Sequence, residues 1–213
     1  MALDKPRLTV VVSGPSGAGK STLCERFVDA HPTAELIITT TTREARRGEQ
    51  DGIDYHFVTE EAFKKGIERG DFLEHALVHG NYYGSPRKAV DEARQAGRDV
   101  ILEIDIQGGL AVKSRIPDAL LIFVTPSDVS VLKQRLLGRG TDSAESIARR
   151  LSNVKRELER ISEYNVFLFN DELDAAVRML GCLIEAERHR IARYDTARLF
   201  NLAALDSVLQ CTQ

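Results

Sequence analysis

Only three cysteines occur in the 213 residues, and they stand far apart at Cys24, Cys182 and Cys211. An odd number without a Cys-x-x-Cys pair supports neither a disulfide framework nor a zinc site; reduced thiols are expected. The five histidines, His31, His56, His75, His79 and His189, are equally scattered and show no metal-ligand spacing. No surplus of basic charge is present: the formal net charge is −3, whereas a general nucleic-acid binder is usually basic. No apolar run approaches the roughly 20 residues of a membrane-spanning helix. The opening MALDKPR has no signal-peptide core, so a cytoplasmic protein without membrane or nucleic-acid partners is expected. Repeats, low-complexity segments and tryptophan are absent. What remains is an ordinary globular composition in a chain long enough to bury roughly 70% of its unfolded surface.

Short apolar runs alternate with helical patterns. LTVVVS (Leu8–Ser13), DVILEID (Asp99–Asp105), ALLIFV (Ala119–Val124) and NVFLF (Asn165–Phe169) read as strands. The first and third are almost continuously apolar, as parallel strands covered on both faces are. Helices are predicted over Ser21–Ala30, Gln107–Arg115, Ser127–Leu137, Ser143–Ser162 and Asp171–Arg190. In the fourth, Ile147, Leu151, Val154, Leu158 and Ile161 make a 4-3-4-3 stripe that reads as core, and Asp142 with Glu145 forms an Asp variant of the capping box. The charge of ARRLSNVKRELERISEY reads as a solvated helix face, Arg150 excepted, while Asp99 and Asp118 read as turn residues before strands. This alternation predicts an α/β fold with a parallel sheet flanked by helices. Residues 38 to about 96 break the rhythm and read as a small inserted lobe, and GRGTD (Gly138–Asp142) as a glycine-flexed connection. The tail 191–213 has enough apolar residues for one more helix.

GPSGAGKS (Gly14–Ser21) follows the first strand and opens a helix, the context that G-x-x-x-x-G-K-[ST] requires. Its glycines let backbone N–H groups curl around phosphate oxygens, and the helix adds the positive end of its dipole. Lys20 supplies a charge for the β- and γ-phosphates, and the Ser21 hydroxyl is a ligand for Mg²⁺. The loop therefore holds a nucleoside triphosphate. The inserted lobe offers an acceptor site. TTTTREARRGEQDGIDYHF sets Arg43, Arg46 and Arg47 among hydroxyls, with Glu49 and Tyr55 downstream, and Arg is the bidentate partner of a phosphate. Further on stand Glu74, Tyr82, Tyr83 and Ser85. A carboxylate that accepts from N–H donors is what a guanine ring, with its N1–H and exocyclic amine, requires.

Taken in order, SGPSGAGKST, TTREARRGEQDGIDYHFV, GNYYGS, EIDIQG, GRGTDSAESIARRL and NDELDAA resemble the guanylate kinase family from Leu8 to Arg190. The resemblance implies a P-loop nucleoside-monophosphate kinase-like fold: a kinase domain over 6–190, with core 6–37 and 97–190, GMP-binding lobe 38–96 and helical lid 138–150. It implies ATP on Gly14, Pro15, Ser16, Gly17, Ala18, Gly19, Lys20, Ser21 and Thr22, with Mg²⁺ as cofactor. The GMP phosphate falls to Arg43, Arg46, Tyr55 and Tyr83, with Glu49 beside them. The guanine falls to Glu74 and Thr39, with Ser85, Glu103 and Asp105 nearby. Lys20, Arg43, Arg135, Arg139 and Arg150 are implied to neutralise charge on the transferring phosphoryl group. The reaction implied is ATP + GMP giving ADP + GDP, with dGMP as a further acceptor. Three positions depart from the usual pattern: Thr39 for Ser, Ala45 for Pro and Glu103 for Asp; none removes a charge the chemistry needs. A non-catalytic guanylate-kinase-like module that binds phosphoproteins is the alternative, but such modules typically lose P-loop or lid charge that is present here. A kinase acting on a ribose bisphosphate is a third reading, opposed by Glu74 and GNYYGS. The sequence does not choose between a monomer and a homo-oligomer.

Overall fold

A computed structural model describes residues 6–195, apart from 79, 129, 133 and 135–153. Strands β1 (Thr9–Ser13), β2 (Ala34–Leu36), β7 (Asp99–Glu103), β8 (Leu120–Thr125) and β9 (Val166–Phe169) form an all-parallel sheet in the order β2–β7–β1–β8–β9. β1 and β8 are buried at every position, as strands covered on both faces must be. Their alternate residues feed two cores. Val10, Val12, Ile122 and Val124 pack with Phe27 of α1 (Lys20–Ala30) and Leu180 and Ile184 of α5 (Leu173–Arg188). Val11, Leu102 and Leu121 pack on the other face with Val112 of α4 (Ile106–Arg115) and Val90 and Ala93 of α3 (Arg87–Gln95).

The segment between β2 and α3 folds on a second sheet. β3 (Thr40–Thr41), β4 (His56–Phe57), β5 (Phe72–Val78) and β6 (Asn81–Pro86) run in the order β4–β3–β6–β5. Helix α2 (Glu60–Arg69) starts where the Thr59 side chain accepts from the Ala62 N–H, and stops at Gly70, whose φ of 73° suits glycine. Phe63 of α2 stacks on Phe72 at 4.4 Å between ring centroids. Leu73 of β5 reaches into the core cluster beneath the parallel sheet, so this strand joins lobe to core.

Several expectations shift. β7 stops at Glu103 rather than Asp105, because Asp105 caps α4 by accepting from the Gly108 N–H at 2.9 Å. In the helical stretch 154–159, Val154 is buried and Leu158 packs on the core, but Ile161 falls in a 3₁₀ turn (Ile161–Glu163) and is 36% exposed. The helical period has ended before it reaches that residue. Ile147, Leu151, Asp142 and Glu145 lie outside the described residues, as do residues 135–137 of the helix predicted before them.

Asp99 is not a turn residue. It opens β7, is 3% exposed, and accepts from the Leu8 N–H at 2.9 Å. Arg188 of α5 grips it with two guanidinium nitrogens at 3.2 and 2.7 Å, and also bonds the Pro6 carbonyl. A carboxylate this far from water needs such a fork to replace its hydration. Asp118 is likewise partnered, by Arg193 at 3.3 Å, although its side chain stays exposed. No helix among the described residues is long and apolar enough to cross a membrane.

Candidate active site

The loop after β1 has glycine where the backbone demands it. Gly14, Gly17 and Gly19 have φ of 146°, 89° and 81°. At Gly14 a Cβ would also overlap the carbonyl oxygen of Val124 in β8, so the loop can lie against the sheet only without one. Lys20 is the first residue of α1, and its Nζ donates to the carbonyls of Gly14 (2.7 Å) and Pro15 (3.3 Å) across the loop. The Ser21 hydroxyl donates to Glu103 Oε1 at 2.8 Å, and Thr22 follows on the exposed side of the helix.

In the lobe, one nitrogen of Arg43 reaches both Glu49 oxygens at 2.9 Å, and Glu49 also accepts from the Arg46 N–H at 2.8 Å. The Arg43 guanidinium lies 5.3 Å from the centre of the Tyr55 ring, which meets Tyr83 edge-on at 6.1 Å. Burial pushes the Tyr55 phenol up to about 12, so it is a neutral hydrogen-bond donor at physiological pH. Arg46 and Arg47 are exposed.

Glu74 and Ser85 face one another across β5 and β6. Glu74 is 2% exposed, and its Oε1 accepts from both the N–H (3.1 Å) and the hydroxyl (2.7 Å) of Ser85. Burial raises its carboxyl to about 7; Asp105 adds to the rise, and the Ser85 bonds and Arg115 oppose it.

These groups converge. A cavity of about 210 Å³ is lined by Lys20 and Ser16 from the loop, Arg43 and Tyr83 from the lobe, and Glu74 and Asp105 at the junction. Thr39, Arg46, Tyr55 and Glu103 line it too, and they continue into a wider cleft of about 800 Å³ that runs to Ser21 and Glu25 of α1. Lys20 from the loop and Arg43 from the lobe thus line one space together with the carboxyl groups of Glu74, Glu103 and Asp105. Such a space suits two phosphorylated ligands meeting head to head. Arg135, Arg139 and Arg150 lie outside the described residues.

Residues 6–187 match the family model described as guanylate kinase. The chain belongs to the guanylate kinase family. It is 48% identical over 186 residues to the guanylate kinase of Desulfitobacterium hafniense, covering 87% of this chain and 93% of that one. To the guanylate kinase of Clostridium perfringens it is 43% identical over 190 residues, covering 89% and 88%. The crystal structure of guanylate kinase from Anaplasma phagocytophilum superposes with a TM-score of 0.76 at 27% identity, covering 91% of this chain and 93% of that one. The α/β P-loop kinase-like fold read from the sequence is therefore the fold of this guanylate kinase family member.

Two features in and around the site of this guanylate kinase escaped the sequence reading. Glu157 belongs to the charge assigned above to a solvated face, yet it lines the cavity, and its buried Oε2 has no hydrogen-bond partner among the described residues. Burial raises its carboxyl above the ordinary range, with Lys20 opposing and Asp105 adding. Charge along a helix does not reveal whether a face meets water or a cleft. Asn170 stands inside NDELDAA, but a role in holding the loop was not legible. It is 5% exposed, and its side-chain amide donates to the carbonyls of Ala18 (2.8 Å) and Gly19 (3.4 Å). Its own N–H donates to the Thr125 carbonyl at 2.9 Å, which ties the phosphate loop to the last residue of β8.

Proposed function

We propose that this chain transfers the γ-phosphate of ATP to GMP, and to dGMP, giving ADP and GDP. The carrying observation is that Lys20, Arg43, Tyr83 and Glu74 line one cavity. In this reading Gly14–Thr22 cradle the triphosphate, and Lys20 turns from the loop carbonyls to the β- and γ-phosphates. Arg43, Arg46, Tyr55 and Tyr83 hold the phosphate of GMP. Glu49 serves by fixing Arg43 and the backbone at Arg46. Glu74 accepts from N1–H and the exocyclic amine of guanine, with the Thr39 hydroxyl beside it and Ser85, Glu103 and Asp105 around it.

Two hard oxygen donors, the Ser21 hydroxyl and the Glu103 carboxylate, stand 2.8 Å apart at the loop, which fits Mg²⁺. Mg²⁺ typically binds through one or two protein oxygens plus substrate phosphates and water. When bound, it would neutralise negative charge on the triphosphate held at Ser21 and Glu103. The GMP phosphate is already ionised and needs no general base, so catalysis is positioning and charge neutralisation. The core 6–37 and 97–190, the lobe 38–96 and the lid 138–150 act as parts of one domain, with the tail 191–213 beyond it. Arg139 and Arg150 come from the lid and Arg135 from just before it, and closure of the lid with the lobe keeps water from the γ-phosphate. The working place of such an enzyme is the cytoplasm.

The test is ADP release from ATP and Mg²⁺ with GMP, AMP, CMP and UMP side by side. Turnover with GMP alone is expected. Lys20→Met should lose at least about a hundred-fold in kcat while remaining folded. Binding of GMP by a folded protein without turnover would instead assign the chain to the non-catalytic phosphoprotein-binding class.

A further inference from the structure

Two consecutive glycines, Gly108 and Gly109, lie in the first turn of α4, and neither has a positive φ. A helix gains nothing from glycine there, since alanine is the better helix former. The reason lies in what each glycine faces. A Cβ on Gly108 would stand 2.7 Å from Glu74 Oε2, 3.2 Å from Glu74 Cδ and 3.2 Å from Oδ1 of Asp105, the cap of the same helix. A Cβ on Gly109 would stand 2.7 Å from the Tyr164 hydroxyl oxygen and 3.1 Å from Ser13 Oγ. Each glycine therefore admits a polar side chain from another element against the helix backbone.

We propose that Gly108 is a positioning residue for guanine recognition, which rests on the reading of Glu74 given above. The two oxygens of Glu74 have separate restraints. Ser85 holds Oε1 with two hydrogen bonds, and Oε2 lies against the bare backbone of Gly108. Glu74 and Ser85 are 2% and 0% exposed, so the carboxylate cannot swing away into water without leaving its partner. An added methyl meets the far end of a flexible side chain rather than fixed backbone. The tighter contact by far is with Glu74 rather than with the Asp105 cap, so the fold absorbs the methyl chiefly by moving Glu74, and guanine recognition carries the main consequence. The element that lines the core thus sets the aim of a side chain that belongs to the lobe.

The experiment is steady-state kinetics of Gly108→Ala with GMP and with IMP, which has the same purine frame without the exocyclic amine. Wild-type turnover with GMP is measured first; its absence would refute the reading of the function rather than this inference. Given that turnover, Gly108→Ala should raise KM for GMP by about ten-fold and narrow the preference for GMP over IMP. KM for ATP should stay within about two-fold, because Lys20 and its loop are untouched. The double variant Glu74→Asp/Gly108→Ala should match Glu74→Asp alone within about two-fold, since the shorter side chain no longer reaches the methyl. An unchanged KM for GMP in Gly108→Ala, or equal rises in both KM values, would overturn the proposal. Should Gly108→Ala fail to fold, recovery of folding in the double variant supports the contact, and its failure to recover refutes it.

Discussion

Ser85 gives both its N–H and its hydroxyl to one oxygen of Glu74, at 3.1 and 2.7 Å, in a pair almost sealed from solvent. The two donors favour the ionised carboxylate, whereas burial favours the neutral acid, and burial wins: the group titrates at about 7. The site thus holds a carboxyl that changes charge near neutrality at the place assigned to guanine.

The first prediction concerns pH. A carboxyl raised from 4.5 to about 7 stabilises the fold relative to an ordinary one below 4.5, and that advantage disappears as pH rises through about 7. Glu74→Gln cannot ionise, so it should gain stability over wild type across that window, on the order of 3 kcal/mol at full ionisation. Urea denaturation at acidic and mildly alkaline pH measures this. A difference that does not vary with pH would refute it. If the ionised form accepts from guanine, as proposed, GMP affinity of the wild type should rise through the same window.

Glu157 provides the second. Its buried carboxylate shares the cavity with Lys20 and attracts that cation. When ionised it competes with the triphosphate for the lysine. Glu157→Gln should therefore lower KM for ATP several-fold, with the larger effect above the range in which Glu157 is protonated. Comparison of the two enzymes over a series of pH values rising from the ordinary carboxylate range checks this, and a raised KM throughout would show that Glu157 assists binding.

The third tests the fold. Asp99→Asn leaves Arg188, 6% exposed at its side chain, with only the half-exposed Glu185 as a counter-charge. Loss of about 3–5 kcal/mol is expected, with kinetic constants unchanged in the folded fraction, because the pair does not line the cavity. Asp99→Leu with Arg188→Met should recover much of the loss. A stability change below about 1 kcal/mol in Asp99→Asn would deny the pair this role.

What could be read from the chain was whatever a few neighbouring residues decide among themselves. β1 and β8 are legible because a doubly covered strand is an unbroken apolar run, and the phosphate loop because Gly14, Gly17 and Gly19 meet backbone angles that other residues resist. The strands β2, β3 and β4 are too short to carry a period, so neither the edge of the parallel sheet nor the lobe's sheet was legible in detail. The site divides in the same way. Lys20 and Ser21 follow from local spacing, and the family resemblance named Arg43, Tyr83 and Glu74.

Tertiary structure alone decided the surroundings of Asp99, Glu157 and Gly108. Asp99 became a buried anchor because Arg188 arrives from the far end of the chain. Glu157 turned to the cavity when Val154 and Leu158 took the core side of its helix. Gly108 matters because β5 brings Glu74 against it. Backbone angles and hydrophobic period are properties of adjacent residues and are written in their order. Desolvation, charge pairing and close approach belong to residues that meet only after folding, and no local stretch of sequence contains them.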